Sequence, residues 1–304
     1  MRKPSPLRRG DVIGIIAPAG AVDEASLSIG ICMLEDAGFR VRLGSAALKK
    51  SGYLAGTDRE RLTDLHTMFR DPEIKAILAA RGGYGCGRLL SMVDPDIIRA
   101  HPKIFVGYSD ITYLLNDLVQ RASLVTFHGP VVDGFHRRPE AAASLLAMLT
   151  GERVRWHEAA QEVVQPGTAE GLLVGGCLSV VVSTLGTPYA IETRDRLLFL
   201  EDVNEKPYRI DRMLTQLRHA GMLDGLAGVI FGEMVGCTAA EDERVTVRDV
   251  IADAFAHAPY PVAFGLPSGH GSGLLTLALG VRARLAGERL TLLESPLSEQ
   301  SGPS

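Results

Sequence analysis

Lys103-Ile104-Phe105-Val106-Gly107-Tyr108-Ser109-Asp110 leads directly into the apolar, helix-forming run Ile111–Leu118. An apolar strand, a sharp turn and a helix follow one another within sixteen residues, and the flanking sequence repeats the pattern. Upstream, Val12–Ala17 is a nearly all-apolar run ending at Pro18, as expected of a strand covered on both faces. Ala25–Ala37 reads as a helix stopped by Gly38, which suits a left-handed cap. A strand near Arg40–Leu43 precedes a helix opened by the capping box Thr57-Asp58-Arg59-Glu60, with Leu62, Leu65, Met68 and Phe69 on its apolar face. Ala76–Ala80, Ile104–Tyr108 and Leu124–Phe127 are further strands. This alternation predicts a parallel sheet with helices on both faces.

Beyond it the pattern loosens. Residues 151–170 read as a linker, polar and aperiodic with Gly151, Pro166 and Gly167, between a first domain over 1–150 and a second over 171–304. In the second, Leu197–Leu200 and Val229–Phe231 suit buried strands. Ile210–His219 suits an amphipathic helix with Pro207 near its start and Gly221 after its end. Leu274–Glu294 alternates around Ala286-Gly287-Glu288 and predicts a β-hairpin. Gly171–Ile191 carries no charge and is long enough to span a bilayer. Gly175-Gly176 and Gly186-Thr187-Pro188 are expected to break it into a strand and a short buried helix.

The 304 residues suit about two domains, and 46% hydrophobic with 22% charged residues is an ordinary globular composition. Only Ser298–Ser304 reads as a polar tail. A net charge of −4 without basic runs points away from nucleic acid and from membrane surfaces. The basic start Met1–Asp11 meets the crudest criterion for a signal peptide, but the apolar run after it is short, broken by Gly and Pro, and reads as the first strand. Cys32, Cys86, Cys177 and Cys237 have no C-x-x-C spacing, which fits reduced thiols in a reducing compartment rather than a zinc site.

The turn at Ser109 would raise its hydroxyl above the sheet, with the Asp110 N–H and the helix N-terminus aimed at the same spot. That geometry suits a nucleophile, because charge develops on an oxygen there during acyl transfer. A helix cap is the other reading of Ser109, and this stretch alone leaves both open. The motif is not G-x-S-x-G. A second turn, Ala79-Ala80-Arg81-Gly82-Gly83-Tyr84-Gly85, leaves the preceding strand, and its successive N–H groups can form an anion nest. One N–H from Gly83 or Tyr84 and one from Asp110 would make a two-donor oxyanion hole. A nucleotide loop ranks lower, since neither turn carries G-K-[ST].

A serine nucleophile needs a histidine base oriented by a carboxylate. His66, His101, His219 and His257 fall in charged helical stretches, and His136 and His157 in polar loops. His128, in Phe127-His128-Gly129-Pro130, and His270, in Gly269-His270-Gly271, remain, and the glycine-rich setting favours His270. Glu201 and Asp202 end the apolar run Leu197–Leu200, and their spacing leaves the choice of acid between them open. A metallohydrolase using His128, Asp133 and His136 matches no ligand spacing, and a non-catalytic ligand-binding protein could share the layout.

Taken in order along nearly the whole chain, Gly10–Pro18, Ala79–Gly85, Gly107–Asp110, Phe127–Pro130, Leu185–Tyr189, Leu200–Tyr208 and Gly269–Gly271 resemble the LD-carboxypeptidases, a family that includes muramoyltetrapeptide carboxypeptidase and the microcin C self-immunity peptidase. The resemblance implies a triad of Ser109, His270 and Glu201 and no metal or organic cofactor. It also implies a flavodoxin-like first domain, a smaller β-rich α+β second domain and a homodimer. Arg81-Gly82-Gly83-Tyr84-Gly85 followed by Arg88-Leu89-Leu90 is closer to the cell-wall recycling branch than to the microcin branch. That branch implies a cytoplasmic peptidase removing D-alanine from murein tetrapeptides. Arg81 is the expected anchor for the substrate carboxylate, and His128 is expected to line the substrate.

Overall fold

The computed structural model describes residues 1–152, 157–239 and 244–299. The chain forms two compact units: of the described residues, one takes those of Met1–Val154, Leu275–Gly280 and Ser295–Ser304, the other those of Arg155–Leu274 and Val281–Glu294.

In the first unit β1 (Val12–Ile16), β2 (Arg40–Leu43), β3 (Ile74–Ala79), β4 (Ile104–Gly107) and β5 (Thr126–His128) alternate with α1 (Glu24–Asp36), α2 (Asp58–Arg70), α3 (Pro95–Ala100) and α4 (Thr112–Ala122), and α5 (Pro139–Leu149) follows. The strands are parallel in the order β2-β1-β3-β4-β5, the doubly wound arrangement of flavodoxin. Every residue of β1 and β4 is buried, as their unbroken apolar runs require, whereas edge strand β2 is partly exposed. The helix ends follow local chemistry. Asp23 accepts the Ser26 N–H to start α1, and the Thr57/Glu60 capping box forms at α2. The Lys103 ammonium closes the other end of α2, donating to the carbonyls of Met68 (2.9 Å) and Asp71.

The second unit holds β6 (His157–Ala159), β7 (Glu162–Gln165), β8 (Thr168–Cys177), α6 (Leu178–Ser183), β9 (Arg196–Val203), α7 (Pro207–His219), β10 (Gly228–Val235), α8 (Val247–Ala254) and β11 (Val262–Phe264). After β12 (Leu277–Leu279), β13 (Arg282–Ala286) and β14 (Arg289–Leu292) complete an eight-stranded mixed sheet, β6-β14-β13-β8-β9-β10-β11-β7. Strands β8 to β11 are parallel and form its buried centre.

Several boundaries differ from the sequence expectation. The stretch 151–170 is not simply a linker: β6, β7 and the start of β8 lie in it, and residues 153–156 are outside the described set. These strands are short or half-buried, so they lack the apolar run that would have marked them. The apolar stretch does divide into a strand, β8, and a short helix, α6, but the break falls after Cys177, and Gly175 and Gly176 sit inside β8. A Cβ on Gly175 would stand 2.0 Å from the Phe199 carbonyl oxygen, so the glycine permits close strand approach. The expected hairpin from Leu274 is also shorter. Leu277–Leu279 forms β12, antiparallel to β5 in the first sheet, and Gly280, at φ +80°, separates it from the true hairpin β13–β14. Burial explains the misreading: β12 is buried on both faces, whereas β13 alternates. No helix among the described residues is long and apolar enough to cross a membrane. The expected tail lies outside the described residues from position 300 onward, but the Ser298 N–H bonds the Pro4 carbonyl.

Candidate active site

In the first unit the two turns singled out from sequence leave the carboxyl ends of neighbouring strands β3 and β4. Ser109 begins a 3-10 turn, Ser109–Ile111, that runs into α4. Its φ of +61° puts it in the left-handed region, where a side chain other than glycine is strained. Gly82 lies against it: a Cβ there would stand 3.1 Å from Ser109 Cβ and 3.4 Å from its Oγ. A larger residue at position 82 would have to push Ser109 back by a few tenths of an ångström.

The peptide between Gly82 and Gly83 is oriented from behind. Gly20 donates its N–H to the Gly82 carbonyl at 3.1 Å. A trans peptide sets its N–H opposite its carbonyl, so the Gly83 N–H points away from Gly20. Asp110 is buried, and its carboxylate accepts the Cys86 N–H at 2.8 Å; burial raises its carboxyl above the usual range. Asp110 thus holds the glycine turn with its side chain, a role with no sign in the linear motif. Arg61 holds the same turn from below. Its guanidinium, 1% exposed, donates to the carbonyls of Pro18 and Gly85 and to Asp58. Arg61 escapes a sequence reading of α2 that follows its apolar residues. Its spacing to Leu65, Met68 and Phe69 nonetheless puts it on the inward face.

Arg81 is exposed and donates to the Ala21 carbonyl at 2.6 Å. Nearby is buried Asp133, whose carboxyl is raised by burial against the pull of Arg137 and Arg81. Tyr84 is 53% exposed, with its ring edge-on to Tyr53. His128 does not line an open surface. It is 0% exposed, at the end of β5, with the Tyr108 ring 6.1 Å away. An apolar strand end draws the imidazole into the core. His66, expected on the surface, is half-buried and accepts the Asp94 N–H at 3.1 Å. Among the described residues no group of three or more His, Cys, Asp or Glu is placed to hold a metal ion.

In the second unit Glu201, and not its neighbour Asp202, lies against His270. Glu201 is fully buried near the end of β9 and its Oε2 lies 2.7 Å from His270 Nδ1. Asp202 instead accepts the N–H groups of Ser179 and Val203, each at 2.8 Å, at the start of α6. Burial pushes the Glu201 carboxyl up; the His270 hydrogen bond opposes this, while the charges of Asp202 and Glu233 add to it. His270 is 14% exposed. The loop around it is held by Glu233, whose Oε2 accepts the Gly271 N–H at 3.0 Å. Glu233 carries no sequence signal of its own, because it lies mid-strand in β10.

A buried carboxylate on an imidazole Nδ1 is the arrangement that fixes a histidine base, and a strained serine beside a glycine turn is one that exposes a nucleophile. Ser109 with its turns belongs to the first unit and the Glu201–His270 pair to the second.

Two family models match the chain: the LD-carboxypeptidase N-terminal domain over residues 13–129 and the LD-carboxypeptidase C-terminal domain over residues 170–285. The probable murein peptide carboxypeptidase of Bacillus subtilis is 42% identical over 98% of this chain and 96% of its own. The murein tetrapeptide carboxypeptidase of Pseudomonas aeruginosa is 33% identical over 91% of this chain and 94% of its own. Among solved structures, an MccF-like protein from Bacillus anthracis matches with a TM-score of 0.88 at 26% identity, covering 97% of this chain and 100% of that one.

Proposed function

The chain belongs to the LD-carboxypeptidase family and is a serine-type carboxypeptidase; from that premise we propose that Ser109, His270 and Glu201 act together as its triad, on murein tetrapeptides, at the L,D bond before a C-terminal D-alanine. The observation that carries the reading is the 2.7 Å contact from fully buried Glu201 to His270 Nδ1. Glu201 holds the tautomer in which Nε2 is unprotonated and can accept a proton, and it stabilises the imidazolium that then forms.

Ser109 Oγ attacks the carbonyl carbon before the terminal residue as His270 takes its proton. The tetrahedral oxyanion is held by the N–H groups of Asp110 and of Gly83 or Tyr84; the Gly20 contact that fixes the Gly82–Gly83 peptide supports Gly83. His270 returns the proton to the departing amine, and water then releases the acyl group by the same steps in reverse. The chemistry needs no metal or organic cofactor. Arg81 is the proposed anchor for the substrate carboxylate.

The murein substrate rests on the relatives named for it, which are 42% and 33% identical, against 26% for the MccF-like structure. Four cysteines outside any disulfide, three of them buried, support a reducing, cytoplasmic setting. A homodimer remains part of the proposal. Mass spectrometry after incubation with murein tri-, tetra- and pentapeptides tests the substrate: the tetrapeptide should lose one alanine, and an unchanged tetrapeptide would refute the reading. Amidating its C-terminus should lower kcat/KM about tenfold to a thousandfold, and equal rates would remove the carboxylate anchor.

A further inference from the structure

Strands β9 and β10 run in register from Leu197 to Leu200 against Gly228 to Phe231, and again at Asp202 against Met234. Between these points one residue, Glu201, stands opposite two, Gly232 and Glu233. The ladder therefore carries a bulge directly beside the carboxylate that holds His270. Bulges re-aim side chains, and this one sits where β10 would otherwise continue its alternation past Glu201.

Of the bulged residues Glu233 grips the His270 loop at two points. The Glu233 N–H donates to the Ser268 carbonyl at 2.9 Å, and its side-chain Oε2 accepts the Gly271 N–H at 3.0 Å. Gly232 allows the approach, since a Cβ there would stand 2.2 Å from the Ser268 carbonyl oxygen. The fit at the other end is equally close: a Cβ on Gly271 would stand 1.9 Å from Glu233 Oε1. His270 is thus held from three directions, by Glu201 on its ring and by Glu233 on the backbone before and after it. A carboxylate accepting a backbone N–H is a charge-assisted bond, stronger than a neutral one.

We propose that Glu233 is a positioning residue for the reaction: through the bulge it fixes the Ser268–Gly271 loop and thereby sets His270 on Glu201. This rests on the triad reading but concerns the resting pair, so it is testable without turnover. Its charge also acts on Glu201, adding to the upward push of burial, together with Asp202. Cys177, paired with Glu201 across β8 and β9, is the other titratable group there, and burial raises its thiol.

The test uses the full chain. Glu233→Ala should lower kcat about tenfold to a hundredfold with KM within about twofold, because the loop is freed while substrate contacts remain. Glu233→Gln, whose amide oxygen can still accept the Gly271 N–H, should recover most of the loss. Proton NMR of the resting protein reads the pair directly: the far-downfield Nδ1–H resonance of His270 should persist in the wild type and in Glu233→Gln and disappear by exchange in Glu233→Ala. Gly271→Ala supplies an independent check. It should be damaging in the wild type, where its methyl meets Glu233, and nearly neutral when added to Glu233→Ala. Additive effects of the two substitutions, or a Glu233→Ala protein with full kcat and an intact resonance, would overturn the proposal. A wild type with the resonance but no peptidase activity would instead count against the triad reading alone.

Discussion

Replacing Ser109 with glycine should stabilise the protein relative to replacing it with alanine, although both substitutions remove the proposed nucleophile. Ser109 holds φ +61°, a conformation that costs an L-residue about 1–2 kcal/mol and costs glycine almost nothing. Alanine keeps that strain because it keeps Cβ. Glycine removes it but gives back about 0.4–1 kcal/mol through the larger entropy of its unfolded chain. Both variants lose the hydroxyl, and only glycine also gives up the Cβ that faces Gly82. The net difference is about 1 kcal/mol in favour of Ser109→Gly, or about 2–4 °C in melting temperature for a unit of this size. Differential scanning calorimetry of the two variants in one buffer measures it, with urea midpoints as a second reading. A Ser109→Gly protein no more stable than Ser109→Ala would refute the idea that strain is stored at this turn. If the prediction holds, the raised serine is kept at the expense of stability, which points to function at that position rather than to a helix cap.

Three further outcomes follow from the geometry. Glu201→Gln should lower kcat by about a hundredfold to ten-thousandfold in steady-state assays, because an amide at 2.7 Å from Nδ1 neither fixes the tautomer nor stabilises the imidazolium. Gly82→Ala should lower kcat/KM by about tenfold or more while circular dichroism stays native, since its methyl would stand 3.1 Å from Ser109 Cβ and 3.4 Å from Oγ. The Lys103 ammonium is lowered to about 8 from its ordinary 10.5, chiefly by burial, with Lys75 adding and Asp71 opposing. The unfolded chain then binds the extra proton between those values, so this group makes stability rise as pH rises through that window. Urea unfolding across pH 8 to 10.5 should show the rise, and Lys103→Met should flatten it.

The elements with unbroken apolar runs or explicit caps are legible in the linear chain. Val12–Ala17, the Thr57 capping box and the strand–turn–helix at Ser109 are all signalled by residue patterns only a few positions long. The glycines around His270 are legible too, because a loop that dense in glycine marks close backbone approach, although the approached Glu201 and Glu233 lie far along the chain. What the chain alone leaves open is every choice made between distant segments. Glu201 and Asp202 are adjacent carboxylates and both buried; only the pairing of β9 with β8 and β10 puts one on His270 and the other on the N–H of Ser179. Leu277–Leu279 runs on into the hairpin arm in the linear chain, but β5 at the edge of the first sheet takes it as an antiparallel neighbour, and Gly280 turns the chain out of that strand. Arg61 and Glu233 look like ordinary surface charges in a linear chain. Each becomes structural only where a carbonyl or an N–H from another segment needs a partner that a charged side chain can supply, and that requirement exists only in the folded protein.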